Sequence, residues 1–137
     1  MELADSSVWA NKRRPAIRDW FEAAIEAGEI AVCDMVALEL LHSARNGSEF
    51  HELEDLLLAM PWIPNEAADW VRTREVYRIL ADRRPAFHRS VKHADLLIAA
   101  AAERAGITLV HYDQDFDTIA PVTGQSARWV AARGTLA

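Results

Sequence analysis

At 137 residues and 51 % hydrophobic composition, the chain can fill a continuous core as one domain, spanning 1–137, without disulfides or a structural metal. The lone Cys33 excludes an intrachain bridge and points to a reducing compartment, and no apolar run approaches the length of a bilayer span. A net charge of −6 argues against a nucleic-acid binder of the ordinary basic kind. The opening MELADSSVWANKRR lacks the basic-then-apolar order of a signal peptide, so a cytoplasmic protein with no membrane association is expected.

Charge is unevenly spread. From Arg72 to Lys92, seven basic residues (Arg72, Arg74, Arg78, Arg83, Arg84, Arg89, Lys92) face only Glu75 and Asp82, which leaves this segment at +5 and the rest at −11. Lys12-Arg13-Arg14 is a second cluster. Solvated helix faces or a rim that steers phosphates would both produce such runs.

In chain order, Leu3-Ala4-Asp5 is a short strand candidate ending on a carboxylate. Ile17, Trp20, Phe21, Ala24 and Ile25 recur at helical spacing between Pro15 and Ala27, with Gly28 as the stop. Ile30-Ala31-Val32-Cys33 reads as a buried strand, and Asp34 as the cap of a helix from Met35 to Ala44. Glu39 sits in the middle of that apolar helix, where it either faces water or needs a partner. Asn46-Gly47 reads as the end of this element, and Ser48 as the cap of an acidic helix with Leu53, Leu56 and Leu57 inward. Pro61 to Pro64 reads as an extended connector. Asn65 is placed to cap a long helix to Ala81, with Ala67, Trp70, Val71, Tyr77 and Leu80 facing inward and Arg84-Pro85 as the break.

After a basic loop from His88 to Lys92, the stretch His93 to Phe116 organises the chain. Asp95 heads an apolar helical run, Gly106 suits the position past its C-terminus, Ile107 to His111 is β-like, and Asp113 and Asp115 follow at once. Ile119, Val122, Trp129 and Val130 belong to a final strand or helix between which spacing does not choose.

In open α/β sheets ligands bind beyond the carboxyl ends of the strands. If the strands are parallel neighbours, Asp5, Asp113 and Asp115 emerge at one edge, where Asp95 and Glu39 can join them. Carboxylates so gathered repel one another and call for a cation. An all-oxygen ligand set selects Mg²⁺ or Mn²⁺ over zinc, and such an ion with open positions is equipped for phosphodiester hydrolysis. No Gly-x-Ser-x-Gly elbow, Gly-x-Gly-x-x-Gly turn or Walker loop offers a competing chemistry.

The ordered set Asp5-Ser6-Ser7-Val8-Trp9, Glu39-Leu40-Leu41, Asp95-Leu96-Leu97-Ile98-Ala99-Ala100 and His111-Tyr112-Asp113-Gln114-Asp115-Phe116 resembles the PIN-domain family, most closely the VapC-type toxins of bacterial toxin-antitoxin pairs. The likeness spans the chain in length and motif order, although the lead Met1-Glu2-Leu3-Ala4 is shorter and more polar than the family's. It implies a three-layer α/β/α fold with a central, mostly parallel sheet, and Mg²⁺- or Mn²⁺-dependent endoribonuclease activity. A cognate VapB-type antitoxin that inhibits the enzyme and a homodimer are implied as well. By motif, Asp5, Glu39, Asp95 and Asp113 form the acidic quartet, with Asp5 and Asp95 foremost as metal ligands. Asp115 is a fifth carboxylate, and Ser7 is placed to orient Asp5 or a water. Lys12, Arg13, Arg14, Arg89 and Lys92 become candidate contacts to RNA phosphates.

Two rivals stand beside this reading. One is a metal-independent ribonuclease using histidine, with His88, His93 and His111 as candidates. The other is a non-catalytic protein-binding module whose carboxylates merely cap surface turns.

Overall fold

The computed structural model describes residues 1–136; Ala137, the last residue of the expected domain, lies outside them. Five short strands carry the architecture: β1 (Glu2–Ala4), β2 (Ile30–Cys33), β3 (Trp62–Ile63), β4 (Thr108–His111) and β5 (Ala127–Trp129). All neighbouring pairs are parallel, in the order β3-β2-β1-β4-β5. The order runs one way from β1 to β3 and the other way from β4 to β5. Right-handed crossovers therefore put the connecting helices on both faces, and the direction reverses between β1 and β4.

That reversal sets the register of everything functional. Leu3 pairs with Leu109 and Ala4 with Val110, and the Asp5 N–H donates to the Val110 carbonyl at 2.9 Å. Asp5 thus leaves β1 level with the end of β4, and Asp113 and Asp115 lie only a few residues further on. Leu3, Ala4, Ile30 to Cys33, Leu109 and Val110 are all buried, as strands covered on both faces require. The polar lead finds a partner: Arg128 of β5 donates to both oxygens of Glu2, at 2.6 and 2.7 Å.

The helices are α1 (Ser6–Ala10), α2 (Arg18–Glu26), α3 (Asp34–Leu41), α4 (Gly47–Leu58), α5 (Ala67–Arg83), α6 (His93–Ala105) and α7 (Asp115–Thr123), with a 3₁₀ turn at Phe87–Ser90. Every residue of α6 from Asp95 to Ala102 is buried. It touches α3, α5, α7, β3 and β4, which is what a helix apolar on all sides demands. Its run Ala99 to Ala102 lets neighbours approach closely, and Gly106 ends it at φ +68°. No helix among the described residues is long and apolar enough to cross a membrane.

Several local expectations are corrected. Asp34 is the first residue of α3 rather than its cap, and its carboxylate accepts the Asn65 N–H at 2.7 Å. Asn46-Gly47 opens α4 instead of closing α3: the Asn46 side chain caps the Glu49 N–H, leaving Ser48 no capping role. Leu57 is buried but Leu56 turns outward. Pro61 to Pro64 contains the edge strand β3. Glu66, not Asn65, caps α5, in a reciprocal capping box with Asp69. Trp70 and Val71 are 61 % and 48 % exposed, because the buried stripe of α5 runs through Asp69, Val76 and Leu80. The basic loop holds the 3₁₀ turn, and the C-terminal residues form both a helix and a strand.

A polar network ties α3, α5 and α6 together. Asn65 Oδ1 accepts the Met35 N–H at 3.0 Å, while its Nδ2 donates to Asp69 and to the Leu97 carbonyl. Arg104 of α6 donates to both Asp69 oxygens and to the Pro64 carbonyl. Buried Asp69 thereby stays below the usual carboxylate range: burial raises it, and the Arg104, Glu66 and Asn65 donors more than offset that. Replacing Asn65 by Ala strands the Met35 N–H and removes one of the three donors to Asp69 Oδ2. The expected loss is about 2 kcal/mol, read as a lower urea midpoint with unchanged slope; an unshifted midpoint would contradict this bridging role.

Candidate active site

The carboxyl edge of β1 and β4 opens into a pocket of about 430 Å³. Asp5, Glu39, Asp95, Asp113 and Lys92 line it, together with Ser6, Ser7, Trp9, Lys12, Leu40 and Leu53. Four acids scattered over more than a hundred residues of sequence therefore share one concavity at the topological switch point.

Each acid is positioned by its own element. Asp5 is the N-cap of α1: its Oδ2 accepts the Ser7 N–H at 3.0 Å and the Ser7 hydroxyl at 2.5 Å. That hydroxyl accepts the Tyr112 N–H at 2.8 Å, so Ser7 pins Asp5 to the chain leaving β4. Glu39 extends from the middle of α3, and Ser6 donates to it at 3.1 Å. It is half-buried on the pocket wall, which decides between the two readings its helix left open. Asp95 lies in the first turn of α6 and is 2 % exposed. Asp113 Oδ1 accepts the Asp115 N–H at 2.9 Å, and Asp115 Oδ2 accepts the Lys92 N–H at 3.0 Å.

The tightest grouping is Asp95, Asp113 and Asp115, each offering an oxygen within 4.8 Å of the others. Of that trio Asp95 and Asp113 line the pocket, where Asp5 and Glu39 join them, while Asp115 stands behind them and is not a lining residue. The Lys92 ammonium stands among the three, 2.7 Å from Asp113, 3.2 Å from Asp95 and 3.2 Å from Asp115.

Electrostatics reflect the crowding. Burial, reinforced by Asp115 and Asp5, pushes Asp95 up to about 8. Burial likewise raises Asp5, with Asp113 adding to it against the Ser7 donors, and raises Glu39. Asp115 goes the other way: burial lifts it, but hydrogen bonds from Asp95 and from the Lys92 backbone bring it below the usual range. The opposite directions at Asp95 and Asp115 mark a pair that titrates together, with the neutral form favoured at Asp95.

These residues suit a hard divalent ion. The donors are all carboxylate oxygens, and a cationic group already sits at their convergence. Buried Asp5 Oδ1 has no hydrogen-bond partner, and buried Asp95 Oδ2 has only the ion-pair contact with Lys92 at 3.2 Å, whereas buried acceptors are normally satisfied.

The other candidates are dispersed. Lys12 reaches the pocket mouth over the Trp9 ring, and Arg13 and Arg14 are exposed on the turn after α1. Arg89 is exposed on the 3₁₀ turn and is not a lining residue. Of the basic segment, Arg72 is occupied by Glu75 and Glu103. His111 is buried beneath the site against Phe116 and Trp129, accepts the Asp113 N–H, and is lowered by burial. His88 and His93 pack on Tyr77, away from the pocket lining. Sequence reasoning missed Ser6 as the partner of Glu39 and Lys92 as the partner of the acids. The first carried no spacing signal; the second did, since Lys92 stands three residues before Asp95.

A sequence profile described as the PIN domain matches residues 3–121. Ribonuclease VapC18 of Mycobacterium tuberculosis is 42 % identical over 132 residues, covering 96 % of each chain. Among solved structures, DNA-bound VapBC from Salmonella typhimurium superposes with a TM-score of 0.70 at 17 % identity, over 95 % of this chain and 98 % of that one. VapBC-5 from Mycobacterium tuberculosis, a member of the VapBC family of toxin-antitoxin systems, superposes with a TM-score of 0.55 at 19 % identity, over 93 % of this chain and 95 % of that one. Identities this low speak for the fold alone.

The upward shift at Asp95 has a thermodynamic consequence. Its folded pKa lies above the value of about 4 for an unfolded aspartate, so its stabilising contribution is complete at acid pH and lost as pH rises through about 8. In EDTA, Asp95→Asn is expected to melt above the parent protein at pH 8.5, with the gap closing towards pH 5. A variant melting below the parent at pH 8.5 would show that the carboxylates do not strain the site.

Proposed function

The chain belongs to the PIN-domain family and to its VapC ribonuclease branch, and on that footing we propose that it is the toxic endoribonuclease of a toxin-antitoxin pair, hydrolysing RNA phosphodiester bonds with Mg²⁺ or Mn²⁺. One observation carries the reading: carboxylates from four separate stretches, of which Asp5 and Asp95 are buried and incompletely hydrogen-bonded, converge on an open pocket at the sheet's switch point.

Asp95, Asp113 and Asp115 would hold the ion, with Asp5 completing the set from across the pocket through its free Oδ1. When bound, such an ion lowers the pKa of a coordinated water and neutralises charge on the phosphate. The protein's own part is positional. Ser7 holds Asp5 by two hydrogen bonds, from its N–H and its hydroxyl, and the Asp115 and Lys92 backbone N–H groups hold Asp113 and Asp115. Glu39, raised by burial and held by Ser6, stands on the facing wall, where it can take a proton from the attacking water. Lys12 over Trp9, with exposed Arg13 and Arg14 beside it, would draw the RNA backbone to the mouth. Arg89 belongs to a more distant basic surface.

Kinship with VapC ribonucleases and the fold shared with VapBC complexes support a VapB-type antitoxin as the protein partner, and a homodimer in a cytoplasmic setting accompanies that reading. The chain acts in it as one domain.

RNA cleavage by purified protein tests the proposal. Asp5→Asn, Asp95→Asn and Asp113→Asn are each expected to slow cleavage a hundredfold or more, roughly what losing a group that stabilises transition-state charge costs. EDTA should abolish activity and Mn²⁺ restore it. Cleavage that survives EDTA would favour histidine chemistry, and full activity in all three variants would leave a binding module. Sequencing the 5′ ends of RNA from expressing cells, with Asp95→Asn as control, would identify the cut site.

A further inference from the structure

Resting on the metal-dependent reading above, we propose that the Lys92 ammonium is the resident counter-ion of the metal-free site, held where the divalent ion binds and displaced when it arrives. Nζ lies within 3.2 Å of Asp95, Asp113 and Asp115, the trio whose oxygens converge closely enough to share one ion. Three donors on a compact tetrahedral charge can serve three carboxylates at once, which the planar fork of arginine does less well. The choice of residue is pointed: of fifteen basic residues only Lys12 and Lys92 are lysines, and both line this pocket.

The geometry also permits exchange. The Lys92 side chain is 60 % exposed on a flexible stem, whereas its backbone N–H is anchored on Asp115. The ammonium can therefore swing out without disturbing the backbone donor that positions a ligand. Lys92 would keep the acids folded together before metal arrives. Once displaced, it remains tethered at the same pocket as Lys12, adding positive charge for a phosphodiester only after the ion is seated. Lys92 in this role is a positioning residue, and metal affinity carries the cost of moving it.

Calorimetry of Mn²⁺ binding to the purified full chain and to Lys92→Met tests this. Removing a unit charge from the binding position should tighten Mn²⁺ binding about tenfold, lower the melting temperature in EDTA, and enlarge the melting shift produced by Mn²⁺. A folded Lys92→Met variant with unchanged or weaker Mn²⁺ affinity would overturn the proposal. A second measurement needs no variant: brief acetylation of the native chain, read by mass spectrometry, should modify Lys92 several-fold faster with Mg²⁺ than without, relative to Lys12. A ratio indifferent to Mg²⁺ would also overturn it. Native protein that binds Mn²⁺ and cleaves RNA while failing these tests would discard the counter-ion role alone; native protein that takes up no Mn²⁺ would discard the metal-dependent reading with it.

Discussion

Mutual repulsion among carboxylates held in a half-buried pocket is the constraint on which this molecule turns. Asp5 and Asp95 are almost wholly removed from water, yet Asp5 keeps an oxygen without a donor and one Asp95 oxygen has only the ion-pair contact with Lys92. A folded protein tolerates such an arrangement only if the surrounding core prevents the acids from relaxing apart and a cation or a proton balances their charge. The cation is in place as the Lys92 ammonium, and burial beside Asp115 and Asp5 raises Asp95 well above the usual carboxylate range, favouring its protonated form.

The contrast with the other buried acid is instructive. Asp69 is as buried as Asp5 but fully paired, receiving Arg104, Asn65 and the Glu66 N–H, and it falls below the usual carboxylate range. Glu2 is satisfied just as completely by Arg128. The fold is thus capable of neutralising its carboxylates with arginine wherever they only hold elements together. At the pocket it uses an exposed lysine and leaves Asp5 Oδ1 without a donor, a difference that sets these acids apart from those that only brace the fold.

Rigidity comes from the elements beneath. Strands of two to four residues would be weak alone, but the parallel sheet is buried along β1, β2 and β4, and α6 is packed from every side. Asp95 sits in the first turn of that buried helix, so the core holds its position. Asp5 inherits similar fixity through Ser7, whose hydroxyl joins the ends of β1 and β4.

The sequence by itself determined a great deal wherever a local pattern has one physical solution. Ile30 to Cys33 as a buried strand, Gly106 as the end of an apolar helix, and the acids after β1 and β4 were all legible, because period, left-handed backbone and chain order are local properties. Motif order carried the family as well. Tertiary structure alone decided which of several local options prevailed. Asn65 read as a cap became a bridge because α3 and α6 supply it with partners, and Trp70 and Val71 faced water because Asp69 had Arg104 to bury against. Glu39 entered the site through a serine 33 residues away, and Lys92 met Asp113 and Asp115 across a helix and a strand. Pairings of this sort depend on distances in space, which spacing along the chain does not encode.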